Sequence, residues 1–246
     1  MRLTWEELGW ERVAPRVGRR RLPDWDCTVG LVVGEGAALM VDAGSSLAEG
    51  ARLRREAQAV AGHRVTHIAL THPHFDHVFG AAAFAGAEIL VAGGSPDVYE
   101  SGRGELCADA VRNGLDPRAA AEAADTLVRP RQYVWDTWNL ELHGGVEVRL
   151  VRTGEGHTAH DLVVVVPGDP PVVFCGDLVE ESGEPQAGPD AVPSRWPAAL
   201  DRLLALGGEE ALYVPGHGAV VDAAFVRAQR DALAGRFGAA GSGVSR

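Results

Sequence analysis

Hydrophobic and polar positions along this chain fall into short runs divided by glycine- and proline-bearing turns. Residues 28–33 and 37–42 are rich in β-formers and are separated by Gly34-Glu35-Gly36, which predicts a hairpin. Residues 47–61 place Leu47, Ala51, Leu53, Ala57 and Val60 at roughly helical spacing, and Gly62 stops the pattern. Residues 65–70 form a short apolar strand, 78–84 the first turns of a helix, and 88–92 a further strand. Gly93-Gly94-Ser95-Pro96 turns into an alanine-rich, charged stretch over 97–125. This stretch is predicted helical, broken near Gly102, Gly104 and Gly114, and is read as an insertion over one edge of the sheet.

The second half repeats this alternation. Residues 132–142 and 146–151, turned at Gly144-Gly145, alternate as a hairpin with one wet face. Residues 162–166 and 172–175 are continuous apolar strands around Pro167-Gly168-Asp169-Pro170-Pro171, the second ending at Gly176-Asp177. A helix over 196–206 carries Pro197 in its first turn, where proline is tolerated. A strand over 211–214 ends at Pro215-Gly216-His217-Gly218, a last helix spans 223–234, and 238–246 reads as a frayed tail. Strands alternating with helices predict an α/β fold.

Composition narrows the classes. A length of 246 residues with 46% hydrophobic positions suits one sizeable α/β unit. The net charge of −11 argues against a nucleic-acid surface, which needs Lys and Arg to neutralise phosphates. The arginines at 16–21 and 52–55 read as solvated faces. Three cysteines, Cys27, Cys107 and Cys175, show no CxxC spacing, so neither a disulfide framework nor a thiolate zinc site is expected, and Cys175 is read as core. The charged start of the chain lacks the apolar core of a signal peptide, and no apolar run approaches a membrane span. A cytoplasmic protein without a membrane partner is expected.

The chemistry concentrates in Thr71-His72-Pro73-His74-Phe75-Asp76-His77, between a strand's C-terminal end and a helix. Open α/β sheets converge side chains from several strand ends on one crevice there. Imidazole and carboxylate are ligands for zinc and also suit iron or manganese. One tetrahedral ion cannot easily use all four of His72, His74, Asp76 and His77; two adjacent ions can, given further ligands. His157, Asp177 and His217, each following a glycine near a strand end, supply them. His157 completes the first set, His217 the second, and Asp177 bridges. His63, His67, His143 and His160 fit no ligand position. Trp135, Trp138 and Trp196 read as pocket wall or core.

The ordered set His-x-His-x-Asp-His, Gly-His-Thr, Gly-Asp and Gly-His resembles the metallo-β-lactamase-fold hydrolase superfamily over roughly residues 28–217. The resemblance implies an αβ/βα sandwich of two mixed sheets with helices on both outsides, as a single domain over 1–246 with a helical insertion at about 97–130. It also places Asp42 behind the metal site, orienting a ligand. Authentic β-lactamases of this superfamily tend to lack an aspartate at the position of Asp177. Members resembling glyoxalase II, lactonases, phosphodiesterases and RNA-processing nucleases have one. Thr158-Ala159-His160-Asp161 departs from the Pro-Gly often seen after Gly-His-Thr.

The expected function is therefore a hydrolase with two Zn2+ ions that uses a shared hydroxide on a small ester, thioester or lactone. Asp76 and Asp177 would handle a proton besides their ligation. The alternative is an oxidoreductase resembling persulfide dioxygenases, with one Fe2+ on His72, His157 and Asp177. A phosphodiesterase or nuclease, and a non-catalytic scaffold, follow in that order.

Overall fold

The computed structural model describes residues 4–237; the tail read at 238–246 lies outside them. Seven strands form the first sheet in chain order: β1 (Glu11–Ala14), β2 (Val17–Arg21), β3 (Thr28–Val33), β4 (Ala38–Val41), β5 (His67–Ala69), β6 (Glu88–Ala92) and β7 (Gln132–Val134). The first four are antiparallel, and β4 to β7 run parallel. The second sheet contains β8 (Thr137–Glu141), β9 (Glu147–Val151), β10 (Val163–Val166), β11 (Val172–Glu180) and β12 (Leu212–His217), in the order β12-β11-β10-β9-β8. Only the β11–β12 pair is parallel.

Parallel neighbours cannot be joined by a tight turn, so each such step carries helix. These are α1 (Leu47–Ala61), α2 (Phe75–Val78), then α3 (Pro96–Ser101), α4 (Arg103–Arg112) and α5 (Pro117–Asp125), and α6 (Trp196–Gly207). A last helix, α7 (Ala223–Phe237), follows β12.

The two sheets face each other across an apolar layer. Val32, Leu39, Val41 and Leu90 meet Leu150, Val164, Phe174 and Val214 there. On the outer face of the first sheet, Leu31, Met40 and Ile68 share a cluster with Leu53 of α1, Tyr99 of α3, Ala110 of α4 and Ala120 of α5. Val163, Val165 and Val173 of the second sheet pack outward on Leu200 and Leu203 of α6 and on Val226 and Leu233 of α7. Strands buried on both faces explain their near-continuous apolar runs. The expected αβ/βα sandwich is the observed one.

Local chemistry sets the bounds of α1. Ser46 accepts from Glu49 N at its start, and Gly62 closes it at φ 76. Elsewhere the chain departs from the sequence reading. The β1–β2 hairpin was not predicted, because residues 11–21 carry charge on both faces. Arg19 there is buried, not solvated: it bonds Glu11 and the Gly218 carbonyl. Gly102 and Gly114 do fall between helices, whereas Gly104 lies within α4. The ligand helix starts at Phe75 instead of Val78, with a separate 3-10 turn at Ala81–Ala83. β11 continues through Asp177 to Glu180, and β12 through Pro215 to His217. Gly176, at φ 54, absorbs a register shift against β12, so the strand bulges instead of ending.

The turn after α2 is clamped by backbone. Ala43 N donates to His77 O at 2.8 Å and Gly80 N to Gly44 O at 2.9 Å. A Cβ on Gly80 would stand 2.0 Å from Ala43 O, whereas one on Gly104 would meet nothing within 4 Å. Gly80→Ala is therefore expected to lose about 1–3 kcal/mol of stability by overpacking, and Gly104→Ala to gain up to about 1 kcal/mol. Urea unfolding of the two variants checks this; equal effects would contradict it.

Candidate metal centre

The seven residues singled out in the sequence come from four places on one end of the sandwich. His72 and His74 leave β5 on an extended turn, and α2 carries Asp76 and His77. His157 lies on the loop after β9, Asp177 on the bulged part of β11, and His217 ends β12. Gly216 is needed beside them: a Cβ there would lie 1.9 Å from Asp177 Oδ1.

Each imidazole is fixed by a partner on its far nitrogen. Thr71 Oγ1 donates to Asp42 Oδ2 at 2.8 Å and is left to accept from His72 Nδ1 at 3.0 Å. Asp42, buried and at φ 61, also accepts from Thr71 N and from His77 Nδ1, both at 2.8 Å. His157 Nδ1 meets the Gln186 carbonyl at 3.1 Å and His217 Nδ1 the Trp25 carbonyl at 2.7 Å. His74 is turned the other way, with Nε2 on Asp190 Oδ2 at 3.0 Å. All these partners accept, so each far nitrogen carries a proton, and the near nitrogen of each neutral ring carries a lone pair. Asp42 thus lies behind the histidine cluster, bonded to Thr71 and His77.

The near atoms converge. Asp177 Oδ2 lies 3.6 Å from His72 Nε2, 3.4 Å from His157 Nε2 and 3.3 Å from His217 Nε2, while Oδ1 lies 3.2 Å from His77 Nε2. Asp76 Oδ2 is 3.5 Å from both His77 Nε2 and His217 Nε2. Two ligands of one tetrahedral ion, each at ~2.0–2.1 Å, stand roughly 3.3 Å apart, so these separations suit shared ions. His74 Nδ1 and His157 Nε2 face each other at 3.0 Å, close enough to share a proton or an ion. His72 Nε2 and Asp177 Oδ1 are buried without a hydrogen-bond partner. A buried polar atom left unpaired is costly, and a cation is what satisfies this set. Three groupings could each hold an ion: His72, His74, His157 and Asp177; His77, Asp177 and His217; and Cys27, Asp76 and His77. Asp76 stands beside the second.

Electrostatics divides the five imidazoles: His72 and His157 are held neutral, whereas neighbouring acidic groups outweigh burial and raise His74 and His77, as they do His217. Burial holds His72 well below the ordinary imidazole value and brings His157 down to about 4, so both are neutral donors at neutral pH. Burial also lowers His217, but Asp177 beside it outweighs this and pushes it up to about 10. Burial alone would raise Asp177; the surrounding His77, His72, His217 and His157 hold it well below the carboxylate range.

Several neighbours carried no sequence signal. The Gln186 and Trp25 carbonyls are backbone groups, and Asp190 is 116 residues from the histidine it holds. Cys27, read only as a cysteine outside any motif, donates its thiol to Asp76 O at 3.4 Å and lies against His77. Burial pushes that thiol up to about 12. Asp161 accepts from Thr158 N and Oγ1 and so braces the His157 loop, and burial raises it to about 7. His143 is exposed, His63 is half-buried against the Gly34 carbonyl, His67 pairs with Glu88 across β5 and β6, and His160 is half-buried beside Gly94. Trp196 is fully buried against His157, whereas Trp135 is exposed. Among the described residues, no helix is long and apolar enough to cross a membrane.

Comparison with known proteins agrees with this arrangement. The sequence model of the metallo-β-lactamase superfamily matches residues 22–217. Metallo-beta-lactamase domain-containing protein 1 of Xenopus laevis is 29% identical over 197 residues, covering 78% of this chain and 71% of that protein. A hydroxyacylglutathione hydrolase of Nitrosococcus oceani is 28% identical over 161 residues, 63% of this chain and 49% of that protein, so the chain spans about half of its length. Among solved structures, the metallo-β-lactamase FIM-1 of Pseudomonas aeruginosa in its mono-zinc form is similar in fold. Its TM-score is 0.68 at 18% identity, covering 92% of this chain and 94% of that one.

Thr71→Val keeps the side-chain shape but removes the acceptor of His72 Nδ1–H and a donor to Asp42. It is expected to cost about 1–3 kcal/mol through the unpaired buried groups and roughly tenfold or more in metal affinity. Urea unfolding in chelator and competition with a chromophoric chelator measure the two effects. Wild-type values in both would show that Thr71 does not orient the ligand.

Proposed function

The chain belongs to the metallo-β-lactamase superfamily, and on that premise we propose that it is a metal-dependent hydrolase. In this reading it holds two zinc ions and acts on a small ester, thioester or lactone. The observation that carries it is the position of Asp177. Its Oδ2 stands within hydrogen-bonding range of His157 and His217, one from each set, and its Oδ1 near His77. A ligand shared by two ions would stand there.

His72, His74 and His157 would hold one ion, and Asp76, His77 and His217 the other, with Asp177 between them. When bound, such a pair lowers the pKa of a shared water toward neutrality and stabilises negative charge developing on the attacked centre. The chain's own contribution is positional. Asp42 and Thr71 keep lone pairs aimed inward, and the burial of His72 and His77 keeps bulk water from competing for them. Asp76 and Asp177 offset part of the cationic charge and leave an excess that suits an oxygen-rich acyl group. Cys27 is no nucleophile at neutral pH, because its buried thiol stays protonated.

A hydroxyacylglutathione hydrolase among the relatives supports an acyl substrate. The β-lactamase neighbours, at 15–20% identity, speak for the fold alone. His72, His157 and Asp177 also form the two-histidine, one-carboxylate face that one iron prefers. The convergence of His74, His77 and His217 on the same centre favours the two-ion hydrolase.

The test is a panel of thioesters, lactones and esters with purified protein. His74→Ala and Asp177→Ala are expected to lower kcat by roughly 10³ or more with an unchanged circular dichroism spectrum. Full activity retained in both variants would end this reading.

A further inference from the structure

The two sides of the centre are buttressed differently. His77 is held by Asp42, which is 2% exposed, and His72 by the equally buried Thr71. His74 and His157 are instead held by one surface segment, the connection 181–195 between β11 and α6. Asp190 takes His74 Nε2 at 3.0 Å, and the Gln186 carbonyl takes His157 Nδ1 at 3.1 Å. Residues 182–190 are exposed except for half-buried Pro185. Among the described residues, these two histidines are where that stretch is hydrogen-bonded to the rest of the chain. The segment is tied down at its ends, by Glu181 N on His217 O at 3.1 Å and Val192 N on Gly156 O at 2.9 Å.

We propose that Asp190 is a positioning residue that completes the His72–His74–His157 side of the centre, so that loading of this side and seating of 181–195 are one linked equilibrium. The proposal rests on the metal-centre reading above. With Asp190 seated, His74 keeps its proton on Nε2 and presents Nδ1 beside His157 Nε2 at 3.0 Å. Without a metal ion those two atoms repel unless a proton lies between them. A ring flip or tautomer change would relieve the repulsion, and it would break an anchor of the segment. A cation takes both lone pairs and makes the far N–H groups better donors to Asp190 and Gln186. Linkage is reciprocal, so whatever unseats the segment weakens this side by the same factor that loading strengthens the seat. The Asp76–His77–His217 side is anchored on Asp42 and the Trp25 carbonyl, and meets this coupling only through Asp177 and the Glu181 N to His217 O bond at the segment's end.

The experiment titrates Co2+ and Zn2+ into the full chain and its Asp190→Ala and Asp190→Asn variants, with hydrogen exchange of amides 182–192 followed in parallel. In Asp190→Ala, one ion is expected to bind roughly 10- to 100-fold more weakly while the other keeps its affinity. Asp190→Asn, which keeps a neutral acceptor, should fall between. In a His217→Ala background, Asp190→Ala should weaken the remaining ion. Exchange of 182–192 in the unsubstituted chain should slow on adding Zn2+. Wild-type affinities for both ions in Asp190→Ala, or exchange of 182–192 indifferent to Zn2+, would overturn the proposal and leave the metal centre standing. An unsubstituted chain that takes up neither ion would overturn both.

Discussion

Five imidazoles and two carboxylates face one another within a few ångströms, each imidazole with an acceptor on its far nitrogen. Such a set repels itself unless positive charge sits within it. His74 Nδ1 against His157 Nε2 at 3.0 Å is the sharpest instance, and the unpaired His72 Nε2 and Asp177 Oδ1 are others. Holding acceptors in this way costs stability in the protein alone. The surrounding structure can be understood as what keeps them in place. Asp42, in a left-handed conformation at the end of β4, serves both the ligand turn and α2 with one carboxylate.

The sandwich makes this convergence geometrically available. Parallel strands β4 to β7 deliver their C-terminal ends to one side, and β11 and β12 do the same from the second sheet. The apolar layer between the sheets fixes their relation, so ligands distant in sequence meet at distances suited to shared ions. Around the centre the chain fits tightly at Gly80 and Gly216, where any side chain would collide with a backbone carbonyl or with Asp177 itself. The β1–β2 hairpin joins in through Arg19, which reaches the Gly218 carbonyl next to His217.

Much of this was legible because the chemistry is concentrated. Four candidate ligands in six residues have few alternative explanations, and the later Gly-His and Gly-Asp pairs gain meaning from their order. Helix α1 was legible to the residue, since Ser46 and Gly62 act on neighbours a few positions away. Failures came where tertiary context overrode local pattern. Glycines 176 and 216 read as strand ends, yet one forms a bulge and the other makes room for a carboxylate, so both strands continue. The arginine-rich β2 read as a solvated face because nothing in its own sequence announces Glu11 or the Gly218 carbonyl as partners. Asp190 and the carbonyls of Gln186 and Trp25 left no trace, since a backbone acceptor has no residue signature.

The central claim is that the convergent lone pairs exist to hold two cations. It is tested most directly by mass spectrometric determination of metal identity and stoichiometry on protein purified without chelator or added metal. The account predicts about two zinc ions per chain, as a shared-ligand hydrolytic centre requires. About one iron per chain would contradict it and point to the two-histidine, one-carboxylate oxidoreductase. Folded protein that neither retains nor takes up any metal would contradict both.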